Sequence, residues 1–308
     1  MTIPPLRIRS LGTTGIEVTE LAFGTAPLAS AFWGNTAATA VATATAALDA
    51  GIGLCDTAPL YGVGEAEERL GAALAARPDL EVAVATKVGR TVVDVEGGGR
   101  DVVADHGRDA TLRQLEASLG RLGRDHVDIV HVHDPEDHLD QAIEEQFAAL
   151  ADLRDQGVVR AISVGTNVVA TALAFLRRAD PDLVMVAGRL TLLDRAAAAE
   201  LIPELEARSV PMFAAGVYNS GVLARPVEGS WFDYAPASRE VLERVLAMDG
   251  ICRDAGIELR AAAMQFPLRF GPVASVVVGM ASPAEVAENV ALMGAEVSDE
   301  VWTALDQL

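Results

Sequence analysis

Cysteine is almost missing from this chain: Cys55 and Cys252 are the only two in 308 residues. Two are too few for a disulfide framework, and neither has a second cysteine at metal-ligand spacing. They fit a reducing compartment, and Cys55, in an apolar run beside Asp56, reads as a buried structural thiol. Basic residues are scarce as well, 24 against 44 acidic ones, for a formal net charge of −20. Binding along a phosphate backbone needs a basic footprint, so nucleic acid is excluded as a partner. No apolar run approaches the roughly 18 residues of a membrane helix. The opening Met1-Thr2-Ile3-Pro4-Pro5 lacks a charged-then-apolar signal segment. The expectation is a cytoplasmic protein with no membrane partner. What is abundant is apolar, 51% of the residues, with a mean hydropathy of +0.27. Alanine and valine in short runs suit buried parallel strands and closely packed helices.

After a hairpin over residues 6–21, turning at Thr13-Thr14-Gly15, strands and helices alternate. The strands are predicted at Leu21–Thr25, Gly53–Thr57, Glu81–Val88, Val127–His133, Ala161–Gly165, Leu183–Ala187, Pro211–Gly216 and Ser275–Gly279. Helices are predicted from Ala37 to Ala50, Glu65 to Ala76, Asp109 to Leu122, Leu139 to Gln156, Ala170 to Ala179, Arg195 to Arg208, Ser238 to Ala255 and Pro283 to Leu292. Gly97-Gly98-Gly99 is read as a loop, and an amphipathic stretch, Ser298–Leu308, closes the chain. Eight strand–helix units joined by right-handed crossovers predict one (β/α)₈ barrel domain over residues 1–308, with an N-terminal hairpin and a C-terminal helix. An open doubly wound sheet is the alternative. The first strand-to-helix turn, Gly24-Thr25-Ala26-Pro27, lacks the G-x-G-x-x-G fingerprint that would favour it.

In such a barrel, function gathers at the C-terminal strand ends. Asp56, Lys87 and His133 end three consecutive strands, and Tyr61 follows the first in its loop. A lysine beside a tyrosine stabilises the phenolate and lowers the phenol's pKa. A carboxylate beside the lysine keeps it charged, and a histidine opposite can bond the same substrate oxygen. A tyrosine so tuned moves a proton on and off oxygen near neutral pH, which suits hydride exchange at carbon if a nicotinamide is present. With no activated serine or cysteine in the set, acyl transfer is disfavoured. Taken singly, each of these residues has a structural reading; their joint placement is what points to a site. His131, of the same strand parity as His133, reads as a satisfied core histidine. His131-Val132-His133 also raises a metal site, but all five histidines lie between residues 106 and 138, and such a site needs ligands from distant strands. No metal is expected.

Asp56-Thr57-Ala58-x-x-Tyr61-Gly62, Ala85-Thr86-Lys87 and Val127-Asp128-x-x-x-x-His133-x-Pro135 stand in the order and spacing of a known signature. On these motifs the chain resembles the aldo-keto reductase superfamily over nearly its whole length. The resemblance implies the barrel, Tyr61 as proton donor or acceptor, Lys87 and Asp56 tuning it, and His133 orienting the substrate. It also implies a nicotinamide cofactor lying across the strand ends without a Rossmann domain. The implied cofactor contacts are Thr25 and Asp56; Thr166 and Asn167 at the carboxamide; Asn219, Ser220, Gly221 and Leu223 over the pyrophosphate. At the adenosine end they are Gly279, Ala281, Ser282, Glu285, Glu288 and Asn289.

Three departures from the family pattern matter. Ala187 stands where a glutamine is usual, and Ala215 or Gly216 stands where a tyrosine stacks on the nicotinamide. Glu285 takes the place of an arginine that meets the 2′-phosphate of NADP, and Ala281 lacks a basic side chain. A carboxylate there repels a phosphate and can accept from ribose hydroxyls, so NAD is the expected cofactor and NADP the alternative; an ordinary acid in a helix's first turn is the structural reading. Segments including Ala187–Leu193, Tyr218–Leu223, Phe232–Ala237 and Ala261–Leu268 resemble the branch of sugar 1-dehydrogenases that act on L-fucose and related D-threo aldoses, with pyridoxal 4-dehydrogenase a neighbour. Trp33, Tyr61, His133, Arg189 and Trp231 are the expected substrate contacts. The implied reaction is oxidation of an aldose at C1 to the lactone, the partner being a small molecule and the protein a monomer or small homo-oligomer. Reduction of small aldehydes or ketones with NADPH is the nearer alternative, and a nicotinamide-sensing regulatory subunit the non-enzymatic one.

Overall fold

The computed structural model describes residues 5–30 and 34–308. Eight parallel strands close into a barrel: β1 Leu21–Gly24, β2 Leu54–Asp56, β3 Ala83–Val88, β4 Ile129–His133, β5 Ala161–Thr166, β6 Leu183–Ala187, β7 Met212–Ala215 and β8 Val273–Gly279. They pair in chain order, and β8 returns to β1 with Gly279 level with Gly24. Around them run α1 Ala37–Asp49, α2 Glu65–Ala75, α3 Arg108–Leu122, α4 over residues 139–155, α5 Val169–Arg178, α6 Leu201–Arg208, α7 Arg239–Asp254, α8 Leu259–Gln265, α9 Pro283–Met293 and α10 Asp299–Asp306.

The period of two along each strand sorts the apolar residues into two cores. Leu54, Ala83, Ala85, Ile129, Ala161, Met185, Phe213 and Val277 fill the barrel interior. Their neighbours Cys55, Val84, Val130, Val132, Ile162, Val164 and Val186 face the helices. The N-terminal hairpin, Ile8–Ser10 against Glu17–Thr19, adds Leu11, Ile16 and Val18 to the inner core. It therefore stands at the bottom, away from the strand ends that carry the polar residues.

The helices begin where side chains satisfy their first N–H groups. Thr36, Ser238, Ser282 and Ser298 each accept from the residue three positions on, and Pro283 follows Ser282 at the position where a missing N–H does no harm.

Gly71 is where α2 meets α3. A Cβ there would lie 2.6 Å from the carbonyl oxygen of Leu122, and that atom is backbone with no rotamer to yield. Alanine is ordinarily the better helix former, by about 1 kcal/mol. At this position overlap outweighs propensity, and Gly71→Ala is expected to destabilise by about 1–3 kcal/mol. Thermal or urea denaturation reads this directly; a variant as stable as the native protein would mean that the α2–α3 contact adjusts freely.

The structure departs from the sequence reading between its main elements. The segment read as a glycine-rich loop is an antiparallel hairpin, Arg90–Asp94 against Arg100–Ala104, turning at the three glycines. The helix expected from Arg195 to Arg208 breaks at Glu200, whose φ of −121° leaves the helical region. α4 contains a π-helical stretch, Ala142–Phe147. A second short hairpin, Trp231–Phe232 against Ala235–Pro236, forms within the long loop after β7.

Candidate active site

β2 ends on Asp56 and β3 on Lys87 and Val88, and both polar side chains turn inward at the top of the apolar core. Lys87 Nζ donates to Asp56 Oδ1 at 2.7 Å, to Oδ2 at 2.6 Å and to the Thr57 carbonyl at 2.9 Å. Three donors meet three acceptors, and both side chains are 3% exposed or less. Burial lowers the Lys87 pKa, but the charges of Asp56 and Tyr61 outweigh it and the net shift is upward. Burial pushes Asp56 upward against the pull of Lys87. With both of its oxygens accepting from the ammonium, the ionised carboxylate is the form this geometry holds. Lys87 is also the only lysine in the chain.

The loop after Asp56 turns sharply to bring Tyr61 over this pair. Gly62, Val63 and Gly64 have φ of 64°, 56° and 92°, and a Cβ on Gly62 would lie 2.6 Å from the Ala29 Cβ. Both its left-handed backbone and its crowding call for glycine. Lys87 Nζ lies 5.0 Å from the Tyr61 ring centroid. His133, at the end of β4, meets that ring edge-on at 6.1 Å and 86°. Asp56, Tyr61, Lys87 and His133 thus converge on one spot.

Two electrostatic details differ from the sequence reading. The Tyr61 phenol is pushed up to about 12: burial is the main cause, Lys87 pulls it down, and Asp56 raises it again. Lysine alone therefore does not bring the phenol near neutrality. His131 is inside the barrel as expected, fully buried and 63° to the Phe213 ring, but it is not a satisfied histidine. Neither ring nitrogen has a hydrogen-bond partner among the described residues, and Asp56 Oδ1 stands 3.7 Å from Nε2. Burial and the Lys87 charge hold both His131 and His133 well below the usual imidazole range, so both are neutral at physiological pH.

The residues expected to hold a cofactor line the neighbouring strand ends. Thr25 is fully buried with no partner for Oγ1, and the buried Asn219 donates to the Gly188 carbonyl at 3.2 Å while its Oδ1 is unpartnered. Gly24 and Gly279 pair across β1 and β8 in close quarters: a Cβ on Gly24 would meet the β8 backbone at 3.3 Å, and one on Gly279 would meet the Pro27 ring at 2.9 Å. Orphaned buried polar atoms on two strand-end loops are what a polar, extended ligand would satisfy, so the residues fit a nicotinamide dinucleotide.

Other expected contacts are already engaged. Thr166 donates to Glu136 and accepts from Val168 N. The Asn167 carbonyl accepts from Arg189 Nε. Ser220 Oγ accepts from Tyr234 N at 3.0 Å, and Ser220 and Gly221 have φ of 58° and 105°. The Leu223 side chain is fully buried in the core and its N–H donates to the Tyr218 carbonyl. Glu288 pairs with Arg260 at 2.9 Å. Asn289 accepts from the Tyr218 hydroxyl at 2.9 Å and donates to the Glu285 carbonyl at 2.8 Å. Ser282 caps α9, and Glu285 Oε2 accepts from the Ala281 N–H at 2.8 Å.

Among the expected substrate contacts, Trp33 lies outside the described residues. Arg189 is brought near the site, but its guanidinium is spent on Asn167 O, Asp194 and Asp233 at 2.8–3.0 Å, which makes it a clamp between three loops. Trp231 is half exposed on the hairpin that Arg189 fastens through Asp233. Asp134, Glu136 and Arg90 were not among the sequence candidates. The signal for the first two was their place directly after His133; Arg90, bonded to the Asp134 carbonyl at 3.2 Å, had none. Among the described residues no three of His, Cys, Asp and Glu gather as a metal site, and no helix is long and apolar enough to cross a membrane.

Residues 20–308 match the model of the aldo/keto reductase family. D-threo-aldose 1-dehydrogenase from a Pseudomonas species is 38% identical, the alignment covering 94% of each chain. Pyridoxal 4-dehydrogenase from Microbacterium luteolum is 36% identical over 96% of each. The holo form of an aldo-keto reductase from Bacillus halodurans superposes with a TM-score of 0.83 at 25% identity, covering 98% of this chain and 96% of that one. With four convergent polar residues at the strand ends of a closed barrel and relatives of this kind along its length, the chain is an oxidoreductase of the aldo/keto reductase family.

Proposed function

We propose that the protein oxidises a free aldose of the L-fucose, D-threo type at C1 to the lactone, with NAD as cofactor. The observation that carries this reading is the complete convergence of Tyr61, Lys87, Asp56 and His133, in a chain 38% identical to an aldose 1-dehydrogenase. A bound nicotinamide supplies the acceptor for the hydride that leaves C1. The protein's part is to take the anomeric hydroxyl proton onto Tyr61 as that C–H bond breaks and the carbonyl forms. Lys87 stabilises the phenolate that Tyr61 must present before it can accept that proton, the transfer leaving the neutral phenol, and Asp56 fixes Lys87 and keeps it charged. His133, neutral, holds the reacting oxygen through a ring N–H.

Thr25 and Asn219, with their unpartnered buried oxygens, are the groups that support cofactor binding here. The choice of NAD rests on Glu285. Its carboxylate is tied to the Ala281 N–H, which keeps a fixed negative charge in the first turn of α9, where a 2′-phosphate would be repelled. Glu285→Arg is expected to raise the NADP-to-NAD ratio of kcat/KM by about tenfold or more, one charge interaction being worth of order 1–2 kcal/mol. It is also expected to lower stability by about 1 kcal/mol through the lost cap. An unchanged ratio together with lost stability would make Glu285 a capping residue only.

The direct test is absorbance at 340 nm with NAD and with NADP, against L-fucose, L-galactose, D-arabinose, D-galactose and pyridoxal. Growth of NADH with the threo aldoses is the expected result. Silence there, with consumption of NADPH by simple aldehydes, would replace this reading with that of a reductase.

A further inference from the structure

The mechanism above leaves one charged group at its centre unused. Asp134 directly follows His133, and its backbone takes the left-handed conformation, φ 43°. Two hydrogen bonds hold it there, Asp134 N to the Gly165 carbonyl at 3.0 Å and Arg90 to the Asp134 carbonyl at 3.2 Å. An aspartate tolerates that conformation better than most residues. Its side chain thereby turns back over the site, placing Oδ2 3.5 Å from His133 Nε2. That separation is too long for a hydrogen bond between them. His133 is itself 6% exposed, and its other ring nitrogen is unpartnered. Among the described residues the Asp134 carboxylate makes no hydrogen bond or ion pair with lysine or arginine; Arg90 bonds to its carbonyl instead.

We propose that Asp134 is a specificity-determining residue that accepts a hydrogen bond from the hydroxyl on the carbon next to the one that reacts. The aldose reading supplies the reacting hydroxyl on which this rests. His133 holds one oxygen, and the two oxygens of a gauche vicinal diol lie about one hydrogen-bond length apart. A diol therefore spans from His133 Nε2 to Asp134 Oδ2, one oxygen accepting from the ring N–H and the other donating to the carboxylate. An apolar aldehyde or alcohol has nothing to give Asp134 and leaves a part-buried charge without a partner. Discrimination against such substrates is the strong kind, since a site built for a hydroxyl loses more than a methylene's worth when the hydroxyl is missing. Burial and the neighbouring Glu136 charge push Asp134 up to about 6 against Arg90 and Lys87, so the accepting, ionised form prevails at neutral and alkaline pH.

Two substitutions suit the backbone: Asp134→Gly removes the carboxylate at a positive φ, and Asp134→Asn keeps the shape without the charge. Each is compared with the native enzyme on two substrate pairs, L-fucose against 2-deoxy-L-fucose in oxidation and glyceraldehyde against propanal in reduction. The native enzyme is expected to favour the hydroxylated member by about ten- to hundredfold in kcat/KM, the worth of a hydrogen bond to a charged group. In Asp134→Gly the ratio should collapse towards one, with Asp134→Asn between. A ratio unchanged in either folded variant, or a native enzyme with no preference, overturns the proposal. If neither sugar reacts while the aldehydes do, the aldose reading fails, and the glyceraldehyde-to-propanal ratio alone decides the role of Asp134.

Discussion

Tyr61→Phe is expected to lower kcat by about 10²–10⁴-fold, the usual contribution of a positioned proton-transfer group, with little change in NAD affinity. The substitution removes only the hydroxyl. The ring that meets His133 edge-on and lies beneath the Lys87 ammonium remains. Because burial pushes the phenol up to about 12 against the pull of Lys87, the residue is protonated across the neutral range. It is ready to donate in reduction and must lose its proton for oxidation. Oxidation by the native enzyme should therefore accelerate as pH rises through the alkaline range, while reduction does not. The phenylalanine variant should lose that dependence along with its rate. Stopped-flow kinetics with one turnover, together with cofactor fluorescence for binding, separates these effects. Native rates in Tyr61→Phe would end the assignment of this cluster as the reacting centre.

The second large effect concerns folding as much as chemistry. Lys87→Met leaves Asp56 ionised and buried with its counter-charge gone, a change that typically costs about 3–5 kcal/mol. Turnover should fall with it, since Tyr61 loses the one charge that favours the phenolate. Asp56→Asn combined with Lys87→Met restores neutrality to the pocket. It should recover most of the lost stability and none of the activity. Denaturant melts of the two variants, set beside their rates, distinguish this from simple crowding by methionine. A double variant no more stable than Lys87→Met would show that the cost arises from shape and not from the unpaired charge.

The residues that were legible in advance are those with a polar group closing an apolar strand. Asp56, Lys87 and His133 close apolar runs at the same end of three successive strands, and barrel topology then brings them together. Period-two burial also placed His131 inside, although its lack of partners depends on what the opposite strands contribute. Contacts made across loops were not legible. Arg189 could be placed near the site but not its three-way engagement with Asn167, Asp194 and Asp233, because those lie 5–44 residues away and meet only in the folded chain. The hairpin at Arg90–Ala104 was hidden by the glycines at its turn, though Val92-Val93 and Val102-Val103 flank them. The Trp231–Pro236 hairpin has strands of two residues, below the length at which alternation carries a signal. At Asp134 the left-handed turn decides where the carboxylate points, and a single aspartate before a proline does not disclose that.

The scarcity of lysine has a consequence outside catalysis. Reducing sugars condense slowly with unprotonated side-chain amines, and an aldose-handling enzyme works in their presence. Here the sole candidate, Lys87, is 2% exposed and held as the ammonium by Asp56, while the basic surface is all arginine and histidine. The exterior thus offers no side-chain amine to glycation, and prolonged incubation with the sugars proposed as substrates should leave its side-chain charges and its reacting centre intact.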